Sequence, residues 1–166
     1  MPREIERKFL VEELPPGLED CERIEVEQGY LALAEDAEVR LRRAAEDLTL
    51  TVKLGAGEDR GEYEVQLSAA QMDALWEACE GRRLRKRRHR LPLEGGLRAE
   101  LDVYLGELDG LRVVEVEFPS ERSAGEFAPP PWFGRELTGD RRFANRSLAV
   151  DGAPPGVYGG GDREGR

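Results

Sequence analysis

Glu4, Glu6 and Lys8 alternate with Ile5, Arg7 and Phe9 near the start of the chain. In an extended strand alternate side chains share a face, so two carboxylates and an ammonium form one row, spaced about 6.6 Å apart. That spacing suits several ligand atoms rather than one buried ion pair. The alternation returns downstream. Arg40 and Arg42 alternate with Val39 and Leu41, and Thr49, Thr51 and Lys53 with Leu48, Leu50 and Val52. Glu62, Glu64 and Gln66, with Arg60 in the same parity, alternate with Tyr63, Val65 and Leu67. Glu100, Asp102 and Tyr104 alternate with Leu101, Val103 and Leu105, and Glu115 and Glu117 with Val114, Val116 and Phe118. A sheet with one solvated face also alternates, but solvated faces mix Thr, Ser, Lys and Glu. Here a single sign dominates each row: basic at 40 and 42, acidic at 62 and 64, acidic at 115 and 117. Segregated charge points to a shared internal lining.

The elements that must carry these rows are eight strands, roughly 3–10, 25–33, 38–44, 47–54, 61–67, 84–91, 97–105 and 111–118. Connections such as Gly55-Ala56-Gly57-Glu58-Asp59, Glu94-Gly95-Gly96 and Asp109-Gly110 are hairpin signals and favour antiparallel pairing. Ser68 can cap a helix whose apolar stripe is Met72, Leu75, Trp76 and Cys79, ending near Gly81 and covering the outer face of the sheet. A second helix follows Pro119, capped by Ser120, and a short closing helix lies near 140–149. From Asp151 onward Gly and Pro dominate, so the chain divides into a domain over 1–150 and a flexible tail over 151–166. The expected class is α+β: an eight-stranded antiparallel sheet, closed or nearly closed into a barrel, with a few covering helices. A barrel of that strand number has an interior wide enough for side chains or one small ligand. Periodicity alone leaves an open sheet as the alternative.

Charged residues make up 36% of the 166 positions and the formal net charge is −10. A broad basic face is what nucleic acid or an anionic membrane requires, and this balance argues against both. A small polyanion is still compatible, because the field inside a cleft counts for more than the global sum. Cys21 and Cys79 are isolated and read as reduced thiols. The N-terminus is charged from Arg3 onward, with no secretory apolar segment and no apolar run approaching ~20 residues. The expected setting is cytoplasmic, as a monomer or homodimer.

The ordered rows resemble the triphosphate tunnel metalloenzymes, the CYTH superfamily. Glu4-x-Glu6-x-Lys8 matches that family's signature, and Arg40-Leu41-Arg42, Lys53, Glu62-Tyr63-Glu64, Lys86-Arg87-Arg88, Glu100-Leu101-Asp102 and Glu115-Val116-Glu117 follow in its order. The likeness runs from about residue 2 to 150 and ends in Asp140-Arg141-Arg142-Phe143-Ala144-Asn145-Arg146-Ser147-Leu148-Ala149, similar to the family's closing helix. The strand at 84–91 is basic on both faces, and only the resemblance selects Lys86 and Arg88 as inward. Arg85 and Arg87 read as an exposed basic edge. His89 and Arg90 replace the aromatic and neutral residues common in the family, and His89 reads as a surface or shell residue.

The resemblance implies a barrel whose lumen is the active site of a metal-dependent triphosphatase. Lys8, Arg40, Arg42, Lys53, Lys86 and Arg88 would surround a linear polyanion, Arg as a planar fork and Lys as a point charge. Unpaired, six inward cations would cost more than a domain's usual stability of ~5–15 kcal/mol, so the interleaved carboxylates must partly compensate them. Glu4, Glu6, Asp102, Glu115 and Glu117 are the expected metal ligands, and hard oxygen donors select Mg²⁺ or Mn²⁺. One ion would orient the triphosphate, and a second that activates water is left open. Glu4, Glu6, Lys8, Lys86 and Arg88 are the expected catalytic set, with Arg60, Glu62, Glu64 and Glu100 supporting it. Inorganic tripolyphosphate is the first-choice substrate. An adenylate cyclase, a thiamine or nucleoside triphosphatase, and a non-catalytic polyphosphate-binding module remain as alternatives. Rival chemistries lack their parts: there is no P-loop, no serine elbow, and one histidine with two distant cysteines does not make a zinc site.

Overall fold

A computed structural model describes residues 4–55 and 61–157. Eight strands form one antiparallel sheet: β1 Ile5–Leu10, β2 Glu22–Leu33, β3 Ala37–Ala44, β4 Asp47–Leu54, β5 Gly61–Gln66, β6 Arg83–Pro92, β7 Arg98–Leu105 and β8 Arg112–Phe118. The spatial order is β1-β8-β7-β6-β2-β3-β4-β5. Three helices accompany it: α1 Ala69–Trp76, α2 Glu121–Glu126 and α3 Asn145–Asp151. No helix among the described residues is long and apolar enough to cross a membrane.

The strand alternation sorts side chains onto two faces, and each face has its own core. On the outer face, Phe9, Leu101, Val114, Val116 and Phe118 pack with Ala124 of α2 and with Phe133. Farther round, Leu41 packs with Met72 of α1 and with Cys79, flanked by Leu48 and Leu50. The α1 stripe is thus core, and its start is fixed by a reciprocal cap. Ser68 Oγ accepts from the Gln71 amide at 3.1 Å, and Gln71 Oε1 accepts from the Ser68 amide at 2.9 Å. Arg7 breaks the apolar face of β1 without leaving a buried charge bare. It donates to Glu136 at 2.6 Å and to the Ala124 carbonyl at 2.9 Å, and stacks over the Phe9 ring.

The third core lies on the inner face. Leu10, Leu84, Tyr104 and Val113 share the inward parity of the charged rows and meet Phe143 and Leu148 from the closing segment. This cluster stops one end of the lumen. The expected helix at 140–149 is a short 3₁₀ turn, Arg141–Phe143, followed by α3. The break between them lets Phe143 and Leu148 both point into the plug. Val157 joins the same cluster at 6% exposure, so the expected tail from 151 is packed through its described part, and residues 158–166 lie outside the described residues.

The sheet is not closed. β1 and β5 are its two ends and do not pair among the described residues. The outer edge of β1 is already occupied: Leu10 N donates to Arg135 O at 2.8 Å, Gly134 N to Leu10 O at 2.7 Å and Leu137 N to Lys8 O at 2.8 Å. A strand cannot add where its backbone partners are taken. At the other end β5 is exposed on both faces, including Tyr63 at 61%. The lumen is therefore a curled trough walled by the sheet and stopped by α3.

Candidate active site

The charged rows converge. A cavity of about 380 Å³ is lined by Glu4, Glu6, Lys8, Arg40, Arg42, Lys53, Glu64, Lys86, Arg88, Glu100, Glu115 and Glu117. Twelve of the residues expected from strand parity and family likeness thus face one space. Glu62 stands at the rim, 3.9 Å from Arg40. Arg60 lies outside the described residues. A larger cavity of about 650 Å³ lies outside the lumen, between α3 and the start of β6. There Arg83 and Arg85 are balanced by Glu27, Glu107 and Asp151, and none of the expected residues lines it.

Two walls of opposite sign face each other. β1 and β8 are neighbours in a register that sets Glu6 opposite Glu117 and Lys8 opposite Glu115. Lys8 Nζ reaches Glu115 Oε1 at 3.0 Å. Confinement in the lumen and the Glu115 charge, only partly offset by Lys8, push the Glu6 carboxyl up to about 7. Water still reaches this side chain. Carboxylates are the right kind of donor for a hard divalent ion. Among the described residues no three such groups are already gathered tightly enough to hold a metal. The long glutamate side chains would have to draw together to do so.

The opposite wall is basic. Burial lowers the Arg42 pKa, and the neighbouring Arg88 and Arg40 charges lower it further. The buried Nε of Arg40 has no protein acceptor. Lys86 and Arg88 are inward on β6, as the family likeness selects, and both are fixed by Asp102. Lys86 Nζ lies 2.8 Å from Asp102 Oδ2, while Arg88 bonds both carboxylate oxygens at 2.7 and 2.9 Å. Burial acts to raise Asp102, but Lys86 and the Arg88 bonds outweigh it and bring the carboxyl to about 2. For Arg88, burial acts downward and the Asp102 bonds and charge more than reverse it. Lys86 is pulled down by burial, with Asp102 its chief support and Arg88 opposing. Asp102 has two hydrogen-bonded cations and Lys86 one hydrogen-bonded carboxylate, so the carboxylate is the better compensated charge of the pair.

This geometry departs from the expected metal role of Asp102. Asp102 is 4% exposed, it does not line the cavity, and its oxygens are already used by two cations. It is a buried counter-ion. β6 is also no edge, since it runs between β7 and β2. Arg85 is exposed, but Arg87 is engaged with Glu25 across to β2. His89 is buried at 6%, on the outer face rather than the surface.

Gln28, Tyr30, Glu38, Asn145 and Arg146 also line the cavity. Glu38 shares the parity of Arg40 and Arg42, so the strand period marks it. Tyr30 is buried beside Glu38, and its hydroxyl is pushed up to about 12 by burial first and that charge second. Asn145 and Arg146 come from α3, where strand alternation gives no signal. Asn145 Oδ1 accepts from the Tyr104 hydroxyl at 2.6 Å, and Arg146 donates to the Ala34 carbonyl at 3.0 Å, fastening α3 across the trough.

Residues 2–144 match the CYTH domain. The chain belongs to the CYTH family. An inorganic triphosphatase of Nitrosomonas europaea is 46% identical over 148 residues, covering 89% of this chain and 97% of that protein. An inorganic triphosphatase of Acetivibrio thermocellus is 36% identical over 155 residues, covering 89% and 94%. A crystal structure of an inorganic triphosphatase superposes on this CYTH protein with a TM-score of 0.76 at 43% identity, covering 93% of this chain and 99% of that one. The open, plugged trough is thus this chain's version of the CYTH tunnel.

Proposed function

We propose that this CYTH protein hydrolyses the terminal phosphoanhydride of a triphosphate, with inorganic tripolyphosphate as its first substrate. The observation that carries the reading is the basic wall. Arg40, Arg42, Arg88 and Lys86 line one trough although burial first, and the Arg88 and Arg40 charges second, disfavour the charge on Arg42. A fold tolerates such crowding where a polyanion relieves it. The triphosphatase relatives cover nearly the whole chain, which supports the same reaction here.

In this reading Lys8, Arg40, Arg42, Lys53, Lys86 and Arg88 bind the phosphate oxygens from several sides. Water attacks the terminal phosphorus, the bridging P–O bond breaks, and diphosphate and orthophosphate leave. Lys86 and Arg88, fixed through Asp102, would meet the charge that grows on the departing diphosphate. Glu4, Glu6, Glu115 and Glu117 would hold the metal, Mg²⁺ or Mn²⁺. When bound, such an ion supplies charge neutralisation and Lewis acidity at the phosphate oxygens. Glu62, Glu64 and Glu100 balance the cations. The partner is a small polyanion in a cytoplasmic setting, and nucleic acid and membrane have no part.

The lumen offers little to read a base. Tyr104 is sealed in the plug, Tyr30 is buried beside Glu38, and the amides of Gln28 and Asn145 are engaged by those two hydroxyls. Binding then rests on phosphates, and kcat/KM for tripolyphosphate should exceed that for ATP by at least ~10-fold, or ~1.4 kcal/mol. Purified protein assayed with tripolyphosphate, ATP and thiamine triphosphate under matched Mg²⁺ tests this. Equal or greater efficiency on ATP overturns the substrate choice, and cyclic AMP among the products points to a cyclase.

A further inference from the structure

Arg88 already faces two carboxylates. Its Nε and Nη2 donate to Asp102 at 2.7 and 2.9 Å, and its Nη1 lies 3.0 Å from Glu100 Oε2. The two counter-ions differ in kind. Asp102 is sealed in and shared with Lys86, whereas Glu100 is half-buried and lines the cavity. A phosphate group approaching Arg88 Nη1 competes with Glu100 for that cation, and a carboxylate pushed off it in a half-buried wall is better held if another cation is near. One is in place. Arg90 stands opposite Glu100 in the β6–β7 register, with its Nε 3.7 Å from the same Glu100 Oε2. Its other side is held at 3.0 Å by Glu22, which is largely exposed. Charges therefore alternate from solvent inward: Glu22, Arg90, Glu100, Arg88, Asp102, Lys86.

We propose that Glu100 is a displaceable counter-ion, neutralising Arg88 in the free protein and passing to Arg90 when a phosphate takes Arg88 Nη1, which makes Arg90 a positioning residue for polyphosphate binding. The inference rests on the triphosphate reading of the same trough. Arg90 does not line the cavity. It acts by giving the expelled carboxylate somewhere to go.

The test is a double-mutant cycle on equilibrium binding of inorganic tripolyphosphate, measured by calorimetry in EDTA so that turnover is suspended. Arg90→Gln should weaken binding about 10-fold, and Glu100→Gln should tighten it a few-fold. In the Glu100→Gln background, Arg90→Gln should cost less than about 3-fold, because nothing remains to be passed on. Arg90→Lys keeps a cation for Glu100 and should bind within about 3-fold of the parent. It also carries the test if Arg90→Gln folds poorly in thermal melts. A loss of similar size in both backgrounds would make Arg90 a plain long-range charge and overturn the inference, as would no loss in either. If the parent binds tripolyphosphate but releases no orthophosphate once Mg²⁺ is restored, the hydrolase reading falls and the cycle still decides the counter-ion exchange. If the parent binds no tripolyphosphate, both fall.

Discussion

Lys86, in the floor of the trough, and Asp102 beneath it form a closed ion pair, 2.8 Å apart with side-chain exposures of 1% and 5%. Such a pair adds little net stability when intact but is costly to break, because removing one partner strands the other charge away from water. Asp102 also anchors Arg88, so one carboxylate sets the position of two proposed phosphate ligands.

Asp102→Asn should therefore destabilise the fold by about 3–5 kcal/mol, read from chemical denaturation. It should also lower tripolyphosphate turnover through misplaced cations. A variant with parental stability would show that the pair is not the support described.

Glu4→Gln and Glu117→Gln should behave in the opposite way. Both residues line the cavity and are exposed at its rim. Each substitution removes charge at nearly constant size, so melting temperatures should hold within a degree or two (about 0.5 kcal/mol) while turnover is lost. Metal titrations of activity would decide it. Near-parental activity at low metal in both variants would remove these residues from the metal site.

The contrast between those variants shows what the sequence could carry. Strand parity identified which side chains face inward, since Glu4, Glu6, Arg40, Arg42, Glu115 and Glu117 follow a period of two and converge on one cavity. Parity cannot say which inward carboxylate is reached by solvent and which is shut under a lysine, so Asp102 and Glu117 looked alike. On β6, with charge on both faces, the period carried no information. Lys86 and Arg88 were separable from Arg85 and Arg87 only by family likeness. The open edge was not legible because it depends on the 134–138 segment occupying β1, a long-range pairing without a local signal. Asn145 and Arg146 were missed for the same reason: a helix crossing the trough presents them, and no strand pattern includes them.

The Glu6 carboxyl, held up to about 7 by confinement and Glu115, makes metal binding pH-dependent. Its folded pKa lies above the ordinary 4.5, so in the metal-free protein its contribution favours folding at low pH and is lost as pH rises from 4.5 through 7. Metal has the reverse dependence, because a divalent ion must displace that proton. Mg²⁺ affinity, titrated without substrate, should fall roughly 10-fold from pH 8 to pH 6, with proton release visible in buffers of different ionisation enthalpy. A flat affinity over that range would mean Glu6 is not among the ligands.

The basic wall makes the last prediction. Among the described residues Arg40 has a buried Nε without a protein acceptor, Glu62 at 3.9 Å and an interaction with the Tyr30 hydroxyl, so its charge is thinly compensated. Removing it should relieve repulsion on Arg42 while deleting a phosphate contact. Arg40→Ala should thus leave stability close to the parent but reduce kcat/KM for tripolyphosphate by about 100-fold or more, the scale of losing a desolvated charged contact. Arg122→Ala is the matched control: its side chain is 86% exposed on α2 and pairs with Glu126 in its own helix. Substrate-saturation curves and melts of both variants separate the two effects. If the two variants gave the same kcat/KM, the basic row would be serving the surface rather than the substrate, and the trough would lose its claim to be the active site.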